Sequence, residues 1–138
     1  MKTAKEFFEQ VQGEETAILA TASDGEVTMR TVSPVCVGDA ILIFTSPQSC
    51  KYRQLQENPN CCLAIGGVYV RARAEFAGPT MAEHNASLRK LYCEKFPGAF
   101  DENMEYGGIG CDFILLKPVT LSGWSYENGA PTPISFDF

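Results

Sequence analysis

Ala40-Ile41-Leu42-Ile43-Phe44-Thr45-Ser46-Pro47-Gln48-Ser49-Cys50-Lys51 is the stretch on which the fold turns. From Ala40 to Phe44 it is apolar at every position, as in a strand covered on both faces. Hydroxyl residues and Pro47 then supply helix-start signals, and Asn58-Pro59 must end the short helix that carries Tyr52 and Leu55. Strand, turn and helix N-terminus therefore follow one another directly. A helix N-terminus offers unpaired backbone N–H groups and the positive end of the helix dipole. With Thr45, Ser49 and Lys51 beside it, this one is suited to an anion such as a phosphate.

Toward the N-terminus, residues 27–37 form the strand that leads into this stretch through the Gly38-Asp39 turn. Thr28, Arg30 and Val32 share one face and Val27, Met29 and Thr31 the other, until Pro34 interrupts the ladder. Arg30 is the lone charge of that strand. Residues 16–22 pair with it across Ser23-Asp24-Gly25-Glu26, whose Asp-Gly step signals a tight hairpin. The three strands are expected to form a meander, which sets the Arg30 strand beside the one leading to Lys51. Residues 3–12 place Ala4, Phe7, Phe8 and Val11 on one helical face, with Thr3 as cap and Glu6 three residues on; Gly13 ends that helix.

Toward the C-terminus, residues 61–65 form an apolar strand, and Gly66-Gly67 turns the chain into residues 68–77. There Val68, Val70, Ala72, Ala74 and Phe76 share one face, while Tyr69, Arg71, Arg73 and Glu75 share the other, which is polar and faces solvent or a partner. Residues 81–96 are helical, with Leu88, Leu91, Tyr92 and Phe96 on one stripe. Residues 97–110 form a loop, either a flap over a site or a connection. Residues 112–121 form the last long strand, broken at Pro118, and residues 127–138 are a tail with few core positions. The expected fold is mainly β (α+β), a closed or partly closed barrel of about six strands with three flanking helices. It occupies 1–138 as a single domain, with 123–138 as a C-terminal extension.

Composition excludes several functions. The chain has 138 residues, enough for one core, and a soluble-protein balance of 45% hydrophobic and 20% charged residues. A net charge of −6, from 11 basic and 17 acidic residues, argues against a nucleic-acid surface. No window approaches the length of apolar residues that spans a bilayer, and Met1-Lys2-Thr3-Ala4-Lys5-Glu6 opens an amphipathic pattern rather than a signal-peptide core. The expected location is the cytoplasm, away from membranes. Cys36, Cys50, Cys61, Cys62, Cys93 and Cys111 contain no C-x-x-C pair, so they are expected as reduced thiols, mostly small core residues. With His84 as the one histidine, no metal site is expected.

The chemistry-bearing residues leave a short set of alternatives. Arg30 and Lys51 either converge on one anion, with Thr45, Ser49 and helix N–H groups as further donors, or are solvated surface charges. Cys50 is either a thiol activated by the helix start and Lys51 or a spectator beside the same anion. Trp124 and Tyr126 are core or interface aromatics, or rings that stack on a ligand. A serine hydrolase is disfavoured, because no G-x-S-x-G elbow exists and His84 sits in a polar helix start.

Taken jointly, Arg30-Thr31-Val32-Ser33-Pro34, Ile43-Phe44-Thr45, Ser49-x-Lys51 and Leu55-x-x-Asn58-Pro59 resemble the pyridoxamine-phosphate-oxidase-like flavoproteins, the FMN-binding split-barrel group, over residues 3–122. The resemblance implies a homodimer with FMN at the subunit interface. It implies that Arg30 and Lys51 hold the phosphate, with Ser49 and Cys50 as donors, Cys50 standing where the oxidase has a second basic residue. Thr31, Val32, Phe44 and Thr45 would line the ring and ribityl chain, and Trp124 is the candidate ring contact from the partner subunit. The implied activity is an FMN-dependent oxidoreductase exchanging hydride with a small molecule, which needs no acid–base triad because the cofactor brings the chemistry. The same fold group leaves open a haem-binding or haem-degrading protein with His84 as ligand, a non-catalytic flavin binder, and a deazaflavin reductase.

Overall fold

The computed structural model describes residues 3–138; Met1 and Lys2, which begin the expected amphipathic start, lie outside the described residues. Its elements are α1 (Ala4–Gly13), β1 (Ala17–Ser23), β2 (Glu26–Val32), β3 (Val35–Val37), β4 (Ala40–Thr45), α2 (Cys50–Glu57), β5 (Asn60–Ile65), β6 (Val68–Pro79), α3 (Ala86–Lys95), β7 (Asp112–Ser125) and β8 (Thr132–Asp137), with a 3-10 turn at Glu83–Asn85. The strands form one antiparallel sheet in the order β2-β1-β5-β6-β7-β4-β3, with β8 added to β7. It is a partly closed barrel, with β2 and β3 at the two edges of the split. Eight strands are present, against the six or so expected.

The all-apolar β4 is buried on both faces because it stands between two cores. Ile41 and Ile43 point into the main core, with Phe7, Val11, Leu19, Leu55, Leu63, Val70 and Leu116. Leu42 points the other way, into a second core with Val35, Tyr92 and Phe113, against which Phe44, Phe96 and Phe100 pack. β7 divides its side chains in the same manner, Ile114 and Leu116 to one core and Phe113 and Leu115 to the other. Each side chain so buried stabilises the fold by about 1.5–3 kcal/mol relative to exposure.

The expected three-stranded meander is not formed. β2 pairs with β1, whereas residues 35–37 form a separate strand that pairs with β4 at the far end of the sheet order. Pro34, which has no N–H to donate, ends the β2 ladder. The crossing segment is then tied down: Tyr92 Oη donates to the Ser33 carbonyl at 2.8 Å, and Lys95 Nζ to the Pro34 carbonyl at 2.6 Å and the Val11 carbonyl at 2.9 Å. The Asp24-Gly25 hairpin forms as expected, with both residues at positive φ.

Two further expectations at the C-terminus are corrected. Pro118 does not break β7, which pairs with β6 from Asp112 to Gly123. On its other side β7 is bonded by β4 up to Leu116 and by β8 from Thr120, so Pro118 falls in the gap where no N–H is required. Residues 127–138 are not merely a tail, because β8 docks on β7 and brings Ile134 and Phe136 against the main core. Nor are the cysteines mostly core: Cys61 is buried, Cys50 and Cys62 are exposed, and the remaining three are half-buried.

Gly123 sits where β7 comes close against the start of β6. A Cβ there would lie 2.8 Å from the Gly67 carbonyl and 3.1 Å from Val68 Cα, both backbone atoms that cannot turn aside. Gly123→Ala is expected to cost about 1–3 kcal/mol, read as a lowered thermal midpoint with the fold retained by circular dichroism. An unchanged midpoint would contradict this packing.

Candidate functional site

At the end of β4 the chain turns into α2 through a compact hydroxyl network. Thr45 is buried, and its Oγ1 lies 2.9 Å from Ser49 Oγ, which accepts the Tyr52 N–H at 3.2 Å and so caps the helix. Ser49 N donates back to the Ser46 carbonyl at 3.0 Å, closing the turn. Among the described residues the N–H groups of Cys50 and Lys51 have no acceptor, as expected in the first turn of a helix. Tyr52 Oη donates to Asp112 Oδ2 at 2.8 Å, locking α2 onto the start of β7.

Lys51 is half-buried and, among the described residues, has neither a hydrogen bond nor an ion pair. Burial pushes its pKa down and the nearby Arg30 guanidinium pushes it further, against a smaller upward pull from the Cys111 and Cys50 thiols. Arg30 faces inward from β2, opposite Leu19. Its Nη1 donates to Thr21 Oγ1 at 2.7 Å and to the Leu19 carbonyl at 3.3 Å, and its Nη2 donates to Thr28 Oγ1. Burial lowers its pKa as well, with Cys50 opposing. Two cations are thus held within electrostatic reach of each other at this helix start, with no carboxylate paired to either among the described residues. Their convergence does not come from neighbouring strands, as the meander would have had it. It comes from α2 packing across β1, which brings the helix start over the inner face of β2.

A cleft of about 480 Å³ opens beside this helix start. One wall is Thr31, Val32 and Ser33 from the β2 edge, with Phe44, Thr45, Ser49 and Lys51 from the β4–α2 junction; the other is Tyr92, Tyr106, Gly107 and Cys111. Six of the residues named from sequence therefore line it. Arg30 and Cys50 do not line the cleft but lie next to Lys51 at the helix start, Cys50 Sγ being 3.9 Å from Thr28 Oγ1 and 3.7 Å from Arg53 Nη2. Arg53 is a third cation that the sequence reading passed over, although i+3 spacing from Cys50 places the two on one face of α2.

The loop of residues 97–110 is a wall of the cleft held by a chain of turns. Gly108 N donates to the Ala99 carbonyl at 2.7 Å, and the buried Thr80 hydroxyl donates to the Gly108 carbonyl at 2.6 Å. A Cβ on Gly108 would strike the Phe100 ring at 2.4 Å and come within 3.2 Å of Phe44, so glycine lets the loop close on the aromatic cluster. Tyr106 is 93% exposed at the cleft mouth with φ of +58°, a conformation that L residues rarely adopt. Nothing periodic in the sequence signals these contacts.

Trp124 is not part of this cleft. It lies on β7 eleven residues beyond Phe113, the partner of Phe44, which is roughly 35 Å along an extended strand. It does share the outer face of the sheet with Tyr69, Ala64, Ile18, Ala20, Met29 and Val27, a largely exposed apolar surface that runs to Thr31 at the rim of the cleft. His84 is also remote: its Nε2 lies 3.0 Å from the Ala77 carbonyl, and it lines none of the cleft. No helix is long and apolar enough to cross a membrane, and no group of three or more metal-ligating side chains occurs among the described residues.

The fold is shared with many solved structures. A pyridoxamine 5'-phosphate oxidase-related, FMN-binding protein from Nostoc punctiforme superposes with a TM-score of 0.69 at 10% identity, covering 96% of this chain and 88% of that one. A heme storage protein from Vibrio cholerae gives 0.67 at 18% identity, over 86% and 91% of the two chains. An FAD-binding protein from Mesorhizobium loti gives 0.67 at 17% identity, over 88% and 93%. Comparison with curated protein sequences gives no match. The helix start, the Arg30 strand and strands β1 to β6 of the split sheet fall within residues 3–124, which match the family model described as pyridoxamine 5'-phosphate oxidase, and the chain belongs to that family.

Proposed function

We propose that this protein binds FMN in the cleft beside α2 and acts as a flavin-dependent oxidoreductase on a small molecule. The observation that carries this reading is the half-buried Lys51 and the inward Arg30, placed together at a helix N-terminus with no carboxylate paired to either among the described residues. Like charges gathered this way destabilise the empty site, and a bound phosphate reverses the sign of that interaction. The donor set fits a phosphate ester: a lysine point charge, the unpaired N–H groups of Cys50 and Lys51, and the remaining guanidinium N–H groups of Arg30. The cleft volume fits a small-molecule cofactor, and its wall of Phe44, Val32 and Tyr92 gives a flat group apolar cover. Bound FMN supplies the two-electron chemistry. Phe44, packed on Tyr92 and Phe100 at 5.1 and 5.8 Å between centroids, keeps water from one side of the cleft.

The site is completed by a second copy of the chain. The apolar outer face runs continuously from Trp124 and Tyr69 to Thr31 at the cleft rim, so a partner docked on that face would reach the cleft. Trp124, too far from the cleft of its own chain, is available to that of the partner. The fold neighbours named as haem proteins leave haem as the second ligand to be tested, although no histidine reaches the cleft.

Lys51→Ala and Arg30→Ala are each expected to weaken FMN about 10- to 100-fold while leaving riboflavin, which has no phosphate, within about twofold. Fluorescence titration reads both, and equal losses would remove these residues from phosphate binding. A protein that takes up haem with a Soret band and no flavin would sink the reading altogether.

The pH dependence has a defined sign. An anion binds best to protonated Lys51, whose pKa lies below its ordinary 10.5 because of burial and Arg30. FMN affinity should therefore fall as pH rises through that lowered pKa, and Lys51→Arg should remove the alkaline fall. An alkaline limb that survives in Lys51→Arg assigns it to another group. For the assembly, Met29→Asp on the 67% exposed outer position should convert a dimer to a monomer by light scattering and lower FMN affinity with it. A wild-type monomer that holds FMN tightly would contradict the interfacial site.

A further inference from the structure

Gln54 is fully buried on α2 and does no work in the cleft itself, yet it touches both of the hydroxyls that hold Arg30. Its Oε1 lies 2.6 Å from Thr21 Oγ1 and 2.6 Å from Thr28 Oγ1. Its Nε2 donates to the Glu26 carbonyl at 3.2 Å, which fixes the amide orientation, since a flipped amide would set two oxygens against each other. A threonine hydroxyl has one proton. With both protons committed to Gln54 Oε1, Thr21 and Thr28 present only lone pairs to the other side, and there they accept from Arg30 Nη1 and Nη2. Nη1 is saturated by Thr21 and the Leu19 carbonyl. What remains is Nε–H and one Nη2–H, a two-donor edge with no partner among the described residues.

We propose that Gln54 is a positioning residue: by fixing the polarity of the Thr21 and Thr28 hydroxyls it clamps the Arg30 guanidinium so that its free edge serves the phosphate ester, and it thereby sets the preference for phosphorylated over unphosphorylated flavin. Without the Gln54 acceptor either hydroxyl can turn its proton toward the guanidinium, and the clamp is lost although Arg30 keeps its charge. The proposal rests on the reading of the cleft as an FMN site.

The test is a double-mutant cycle on the FMN-to-riboflavin affinity ratio, measured by fluorescence titration well below the thermal midpoint of each variant. Gln54→Met keeps the bulk of the side chain and removes the acceptor. It is expected to lower the ratio about tenfold with riboflavin affinity unchanged, and to have no further effect on the ratio in an Arg30→Ala background. Should Gln54→Met fail to fold, Thr28→Val removes one arm of the clamp from a half-buried position and is expected to lower the ratio severalfold. Equal losses for both flavins, or full additivity with Arg30→Ala, would make Gln54 merely structural and overturn the inference. A wild-type protein with no preference for FMN over riboflavin overturns the FMN reading itself, whereas a wild-type preference that Gln54→Met leaves intact overturns this proposal alone.

Discussion

The two-sided burial of β4 is the constraint on which the other parts depend. Because Ile41 and Ile43 belong to one core and Leu42 and Phe44 to the other, the strand cannot slip by one residue without exchanging its two sets of side chains between cores of different shape. Its end is therefore fixed, and with it the point at which Thr45, Ser49 and the first turn of α2 emerge. The second, aromatic core does more than fill space. Tyr92 and Lys95 reach from it to the carbonyls of Ser33 and Pro34, so the packing that holds β4 also holds the crossing between the two edges of the split sheet.

Electrostatics then distinguishes this junction from an ordinary strand–helix turn. Bringing Arg30 and Lys51 together costs free energy in the empty protein, and burial raises the cost because it weakens screening. The protein meets part of that cost with neutral groups, two threonine hydroxyls and a glutamine amide, instead of with a carboxylate. Neutral acceptors orient a guanidinium without consuming its charge. In the proposed FMN site the full positive field would thus be kept for the phosphate, which a salt bridge to Asp or Glu would have cancelled.

The outer face of the sheet is the complement of this arrangement. Val27, Met29, Ile18 and Tyr69 form a contiguous exposed apolar patch that runs to Thr31 at the rim of the cleft, the kind of surface the proposed partner would cover. A cleft whose rim merges with such a face is open on the side where a second chain would sit. In the proposed dimer Trp124, which is too far along β7 to reach the cleft of its own chain, would be placed to reach that of the partner.

By itself the sequence determined what local pattern and spacing can determine: the doubly buried strand at Ala40 to Phe44, the helix start at Ser49 with Lys51 in its first turn, and the placing of Arg30 on one face with Thr28 and Val32. The joint spacing of these features also sufficed for the family. It did not determine which strands are neighbours. The Ser33-Pro34 break reads the same whether the chain turns back beside β2 or crosses to the other edge, and the choice belongs to Tyr92 and Lys95, nearly 60 residues away in the chain. The tail could not be read as β8, because an edge strand on a half-buried ladder needs few apolar residues of its own. Nor could Gln54, Tyr106 or Cys111 be placed at the site, since each arrives there through tertiary packing, and single polar residues carry no period to announce it.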